Sequence, residues 1–354
     1  MGLVQFFKIL QTWAIMLQNL AIIIPTYNRS NFLNRALSFY SQTGFSGCLY
    51  IADGSDDLHY NTNKQIVDNY KNRIKYFYDP ESINEVVRMA KLRDMITEKY
   101  VTFAGDDDFQ LPLGLAHCVY FLNNNLDYDV CFGIKFNFII ENDKPKMNGL
   151  NLGHDWDYNS PSQRFLEYMM TGNSTNYSVH RRFIWNRLFD KTDITTRYIG
   201  TELIMCSTTA ILSRIKRINR IVTLYEDSGL SWPHQKCDTG CNLPPMFQLV
   251  HSYEWIESVE KFRNYIVDSL RIAENLCEYD AIHVFNKGFA FRLYSMLEGQ
   301  FCYKYGKEFT EGHKEFVKQA NKERNSGKVA LFEEDLKFIQ RNLDMDVSCL
   351  NLKK

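Results

Sequence analysis

The chain has 354 residues, 45% of them hydrophobic and 23% charged, with 42 acidic side chains against 41 basic ones. That supports a large buried core, in one large domain with an appendage or in two modest ones. The near-zero net charge of −1 and the lack of any long basic run exclude bulk attraction to nucleic acid, so ligands have to be argued from sites.

Ile9–Asn28 carries no charge, about the length of a membrane span. Gln11, Thr12, Gln18, Asn19 and Pro25 interrupt it, however, and Leu20–Ile24 is needed as a buried strand. No transmembrane segment is expected. Residues 1–19 read instead as an extension with a weakly amphipathic helix over Val4–Leu17, which packs on the domain or touches a membrane surface. No basic stretch, apolar core and small-residue cleavage site opens the chain, and the nine cysteines show no repeating spacing. Reduced thiols in a cytoplasm, peripheral to a membrane at most, are the expectation.

Four short apolar runs follow, each closed by turn residues: Ala21–Ile24, Leu49–Ala52, Ile74–Tyr78 and Tyr100–Ala104. They have the pattern of strands buried on both faces. Phe32, Leu33, Ala36, Leu37 and Tyr40 recur at helical spacing after the first run, and Ile83–Thr97 forms a helical pattern before the fourth. This alternation predicts a doubly wound, mostly parallel α/β sheet, in which ligands collect at the carboxyl ends of strands. Asp53 and Asp106 stand at such ends. Beyond Leu113 a helix leads to a strand over Asp129–Ile140, then a loop-like stretch over Glu141–Pro161, a helix over Leu203–Ile215 and a strand over Arg220–Tyr225. Residues 20–245 therefore read as the main domain. Residues 246–354 read as a C-terminal helical appendage, because Ile256, Val259, Phe262, Ile266, Leu270, Ala273 and Cys277 step by three or four.

The sharpest chemical signal is Gly105-Asp106-Asp107-Asp108-Phe109. Three adjacent carboxylates repel one another and call for a compensating cation. Mg²⁺ or Mn²⁺ held by one or two carboxylates together with diphosphate oxygens supplies it. A solvated acidic turn or a helix N-cap is the plain alternative, and it is weakened by the position at a strand end.

With this motif the chain resembles family-2 glycosyltransferases of the GT-A fold. Ile22-Ile23-Ile24-Pro25-Thr26-Tyr27-Asn28-Arg29 is similar to that family's opening strand and loop. Ala52-Asp53-Gly54-Ser55-Asp56-Asp57 resembles its Asp-Asp-Gly-Ser landmark, with Ala52 in place of the first Asp. Tyr100–Phe109 resembles the strand leading to the metal-binding aspartates. The resemblance implies a sugar transfer from a nucleoside-diphosphate donor, with UDP favoured, to a glycan or lipid-linked acceptor. By the same resemblance Pro25, Thr26 and Tyr27 line the nucleotide pocket, Asp53 lies near the base or ribose, and Asp106 bonds the ribose. Asp107 is the principal metal ligand and Asp108 a second ligand or metal-water partner. Arg88 faces the diphosphate or is a solvated helix charge.

An inverting transferase needs a base beside the acceptor hydroxyl. The resemblance implies an acidic residue at a helix start, and Glu202 fits; Asp193 and Glu226 are further acidic candidates. A glutamate favoured by the helix dipole is the plain alternative. His234 is a candidate late metal ligand. With Cys237 and Cys241 it resembles a zinc site only weakly, since a fourth ligand is missing. His180-Arg181-Arg182 could hold an acidic acceptor or form a solvated charged face. Two rival functions stay open: a nucleotidyltransferase, although the first loop lacks glycine, and a nucleotide-sugar-binding protein without catalysis.

Overall fold

The computed structural model describes residues 13–82, 85–142, 144–153, 155–172, 174–190, 201–227 and 253–305. In chain order the strands are β1 (Leu20–Thr26), β2 (Cys48–Asp53), β3 (Arg73–Tyr78), β4 (Tyr100–Phe103), β5 (Phe109–Gln110), β6 (Val130–Glu141), β7 (Lys144–Asn151), β8 (Val179–Arg181) and β9 (Ile215–Glu226). The helices are α1 (Ser30–Gln42), α2 (Asp57–Asp68), α3 (Glu85–Leu92), α4 (Pro112–Asn124), α5 (Pro161–Thr171), α6 (Arg182–Arg187), α7 (Thr201–Leu212), α8 (Tyr253–Glu274) and α9 (Glu278–Tyr305).

The strands form one sheet in the order β3-β2-β1-β4-β8-β6-β9-β5, with β7 paired to β6. The first four are parallel, as their unbroken apolar runs predict. Helices cover both faces of this half: Leu20, Ile22 and Ile24 pack with Leu33 and Leu37 of α1. Ala21 and Ile23 turn the other way, toward Val86 and Met89 of α3. Each fully buried aliphatic side chain contributes about 1.5–3 kcal/mol, so this double-sided burial fixes the position of β1. The second half of the sheet is mixed, with β8 antiparallel to both β4 and β6, and β9 parallel to β6.

Three elements depart from the pattern read along the sequence. The polar stretch after β2 is helix α2, capped where the Asp56 side chain accepts from the His59 amide, and only Asn63 of it is buried. The segment over Glu141–Pro161 contains strand β7, whose side chains are largely exposed. Helix α5 starts at Pro161 behind a Ser160 cap. Helices α8 and α9 are helical as expected and share one core with α5 and α7: Phe262, Ile266, Leu270 and Phe285 pack with Phe165, Met169 and Ile211. The boundary near residue 245 lies outside the described residues. Trp13 and Leu17, at the described end of the N-terminal extension, pack against the main core. No helix among the described residues is long and apolar enough to cross a membrane.

The acceptor role considered for His180 and Arg181 is overturned. Arg181 is buried and donates to the carbonyls of Leu122 at 2.7 Å and Tyr128 at 3.0 Å, closing the end of α4. His180 is 1% exposed, with Nδ1 2.9 Å from the Ser178 carbonyl, so the ring is the neutral Nδ1-H tautomer. Burial holds its pKa down at about 4, below the ordinary 6.5. A depressed histidine pKa means that the unfolded chain binds the proton first, so this stability is present above pH 6.5 and is lost as the pH falls toward 4. Buried carboxylates oppose the slope in the same window, so the expected signature is a difference between proteins. His180→Phe should cost about 1 kcal/mol at pH 8, where the bond to Ser178 is lost. Its deficit against wild type should then shrink by up to about 1.4 kcal/mol per pH unit below 6.5, measured by urea unfolding. A deficit independent of pH would show that His180 is not held neutral by burial.

Candidate active site

Register brings the site together. Thr26 of β1 pairs with Asp53 of β2, and Ile23 pairs with Phe103 of β4, so three loops leave the sheet at one edge. The first two loops are stitched. Asn28 takes a positive φ of 54°, and its amide donates to Ser55 Oγ at 2.8 Å. Its side chain donates to Asp56 Oδ2 at 3.0 Å and accepts from the Asp56 amide at 2.9 Å.

Asp53 is fully buried under this stitch. Its Oδ1 accepts from the Ser55 amide at 2.8 Å, while Oδ2 accepts from Asn63 at 2.8 Å and from the Tyr76 hydroxyl. The carboxylate therefore shapes the loop from within. Arg88 is likewise buried, donating to the carbonyls of Ser82 and Thr26 beneath the same loops. A Cβ on Gly54 would stand 2.3 Å from Arg88 Nη1, so only glycine lets the guanidinium lie there. Burial lowers the Arg88 pKa from its ordinary value. Pro25 is partly exposed and Tyr27 is exposed at 44%.

The aspartates lie at the tip of β4, and all three are buried. Asp106 accepts from Thr26 Oγ1 at 2.7 Å and pairs with Arg29 Nη1 at 2.8 Å. Arg29 Nη2 reaches Asp107 Oδ2 at 2.9 Å, so one guanidinium bridges two carboxylates. Asp108 is held from the other half of the sheet: Oδ1 accepts from the Glu226 amide at 2.9 Å and Oδ2 from the Tyr177 hydroxyl. A Cβ on Gly105 would stand 2.6 Å from Asp107 Oδ1, so the turn needs glycine to fold its acids back. Burial, opposed by Arg29, pushes the Asp106 pKa up to about 7. Burial and the adjacent Asp107 push Asp108 up as well. Of the six carboxylate oxygens, Asp107 Oδ1 alone has no hydrogen bond or ion pair to the described residues. Among the described residues no cluster of three or more His, Cys, Asp or Glu side chains could hold a metal by itself.

The profile of glycosyl transferase family 2 matches residues 21–211, a span that contains all three loops and reaches into α7. The chain belongs to this family. Comparison with curated proteins finds no match. Among solved structures it is similar to TarS of S. aureus, at 14% identity and a TM-score of 0.49, over 78% of this chain and 43% of that one. The chain thus spans less than half the length of full TarS. A TarS 1-349 structure matches at 16% identity and a TM-score of 0.49, covering 78% and 72% of the two chains. TarS 1-349 in complex with UDP-GlcNAc matches at 13% identity and a TM-score of 0.42, over 82% and 93%.

In this glycosyltransferase fold Glu202 lies in the first turn of α7, exposed, and its carboxylate is within electrostatic reach of Lys135 and Tyr225. Tyr225 in turn feels Asp107 and Asp108. Glu226 is 2% exposed and salt-bridged to Arg35, a group already committed. His234, Cys237, Cys241 and Asp193 lie outside the described residues. Arg29, Arg35 and Tyr177 were not singled out by spacing. Arg29 and Arg35 share the Phe32 ring, with their guanidinium carbons 4.0 and 4.9 Å from its centroid, an arrangement hidden in an ordinary helical apolar pattern.

Because Arg29 is ion-paired with two buried carboxylates, Arg29→Met should cost about 2 kcal/mol at pH 8 in urea unfolding. Arg93→Met, which removes pairs with the exposed Asp94 and Asp190, should stay within about 0.5 kcal/mol. Equal effects of the two variants would mean that Arg29 is no more than a surface charge.

Proposed function

We propose that the protein transfers a sugar from a nucleoside-diphosphate donor, a UDP-sugar first among them, to a hydroxyl of a glycan or lipid-linked acceptor with inversion. Family membership supports sugar transfer, and one observation carries the rest: at the strand tip Asp107 keeps one carboxylate oxygen that no described residue bonds, while Glu202 stands exposed in the first turn of α7.

Mg²⁺ or Mn²⁺ fits this donor set. Such hard ions are held by one or two carboxylates and otherwise by phosphate oxygens and water, so Asp107 Oδ1 suffices without a cage of side chains. When bound, the ion would supply charge neutralisation for the leaving diphosphate. Asp108 fits as a buttress, its oxygens being taken by Tyr177 and the Glu226 amide. Thr26, Pro25 and Tyr27 offer the nucleotide a preshaped loop, and Asp53 and Arg88 brace that loop from below. Glu202 takes the proton of the acceptor hydroxyl as its oxygen bonds to the anomeric carbon. The bond from that carbon to the phosphate oxygen breaks, and the configuration inverts.

A nucleotidyltransferase is disfavoured by family membership. Thermal shift with UDP, GDP and ADP, with and without Mn²⁺, tests the binding half: UDP should raise Tm only with the metal, and Asp107→Asn should abolish the response. Glu202→Gln should keep UDP binding and lower kcat by roughly 10²–10⁴-fold. Undiminished turnover in that variant removes Glu202 as the base; silence toward every nucleotide overturns the whole reading.

A further inference from the structure

Lys135 of β6 belongs to no part of the machinery above. Its register partner on β9 is Thr223, and its ammonium lies 5.1 Å from the Tyr177 ring centroid and 4.9 Å from that of Tyr225. No carboxylate or carbonyl among the described residues pairs with it. The Tyr177 hydroxyl is already committed to Asp108. An ammonium carries three N–H donors and no acceptor, so two neighbouring aromatic rings offset part of its charge but leave its hydrogen bonds unmade.

A second observation lies beside it. Ser178 is 1% exposed, and its hydroxyl has no partner among the described residues. Lys135 and Ser178 line one small cavity of about 30 Å³, together with Ser174, Tyr177 and Thr223. That volume admits a single hydroxyl or water, not a phosphate. Two donor-bearing groups without partners thus converge on a hydroxyl-sized space.

We propose that Lys135, flanked by Tyr177 and Tyr225 and assisted by Ser178, reads one hydroxyl group of the sugar being transferred. The assignment rests on the nucleotide-sugar reading above: one ring beside Lys135 is that of Tyr177, whose hydroxyl bonds Asp108, so the ammonium stands next to the aspartate site from which the hexose of a donor would extend. A pocket whose polar groups are left unpaired by the wrong sugar discriminates far more sharply than an apolar one. Lys135 is therefore a specificity-determining residue, and the nucleotide half of the donor does not depend on it.

The test is a set of equilibrium titrations of wild type, Lys135→Met and Lys135→Arg. The ligands are whichever nucleoside diphosphate raises the wild-type Tm, taken alone and as its glucose, galactose and N-acetylglucosamine conjugates, each with Mn²⁺. Wild type should bind one of these conjugates at least about tenfold more tightly than the bare nucleotide, the scale of a hydrogen bond to a charged donor. Lys135→Met should reduce that conjugate to the level of the bare nucleotide, whose own affinity stays unchanged and reports intact folding; Lys135→Arg should restore part of the gain. Retained preference in Lys135→Met overturns the assignment, and so does a matching loss of affinity for the bare nucleotide, which would make Lys135 a phosphate contact. A wild type that binds a nucleoside diphosphate but prefers none of the conjugates overturns the assignment alone. A wild type that binds none overturns the nucleotide-sugar reading and this assignment together.

Discussion

The structure turns on the burial of three adjacent carboxylates at one strand tip. Together they would be unfavourable in a dry site, because each is desolvated and each repels its neighbours. The fold answers with groups from separate places in the chain: Arg29 from the loop after β1, Tyr177 from the segment before β8, and the Glu226 amide at the end of β9. The parallel half of the sheet and the mixed half meet at these contacts. A site made this way forms only once both halves are in place.

Compensation is incomplete, and this has a chemical consequence. Asp106 is still pushed up to about 7 although Arg29 and Thr26 both favour its charged form, so desolvation outweighs them. The pocket remains short of positive charge. Asp107 differs from its neighbours in having one oxygen without a partner among the described residues, which makes it the point at which further positive charge is most easily accommodated. Arg29 already bridges the same pair of residues, so any ligand bringing cations competes with, or is joined by, a guanidinium that spans both. Its seat on the Phe32 ring keeps that guanidinium close in either case.

What could be read along the chain, and what could not, follows from the same physics. Apolar runs such as Ala21–Ile24 announce buried strands because both faces of the sheet are covered there. The family landmarks were legible because they are contiguous in sequence. Helix α2 escaped notice because it lies on the surface with only Asn63 buried, so no apolar period marks it. Strand β7 escaped for a similar reason: an edge hairpin of polar and glycine residues carries almost no alternation. His180 and Arg181 were ambiguous because a charged run can be solvated, functional or buried. The carbonyls of Leu122 and Tyr128 that claim Arg181 are more than fifty residues away, and no local pattern encodes them. Tyr177 belongs to the same class, paired with an aspartate 69 positions earlier.

The two sides of the cleft also differ in how far their polar groups are satisfied. In the loops after β1 and β2, Asp53, Asn28, Asp56 and Arg88 bond to one another and to backbone, so these loops are shaped before any ligand arrives. Preorganisation of this kind lowers the ordering cost of binding and suits a part shared by many donors. Elsewhere Glu202 is exposed, and among the described residues the Lys135 ammonium meets only aromatic faces and the Ser178 hydroxyl meets no partner. Groups left in that state gain most from a partner that supplies the missing bonds, and lose most from one that does not. Rigid satisfaction on one side and unmet demand on the other is what the proposed reading requires of a fold that holds a nucleotide and selects among the sugars attached to it.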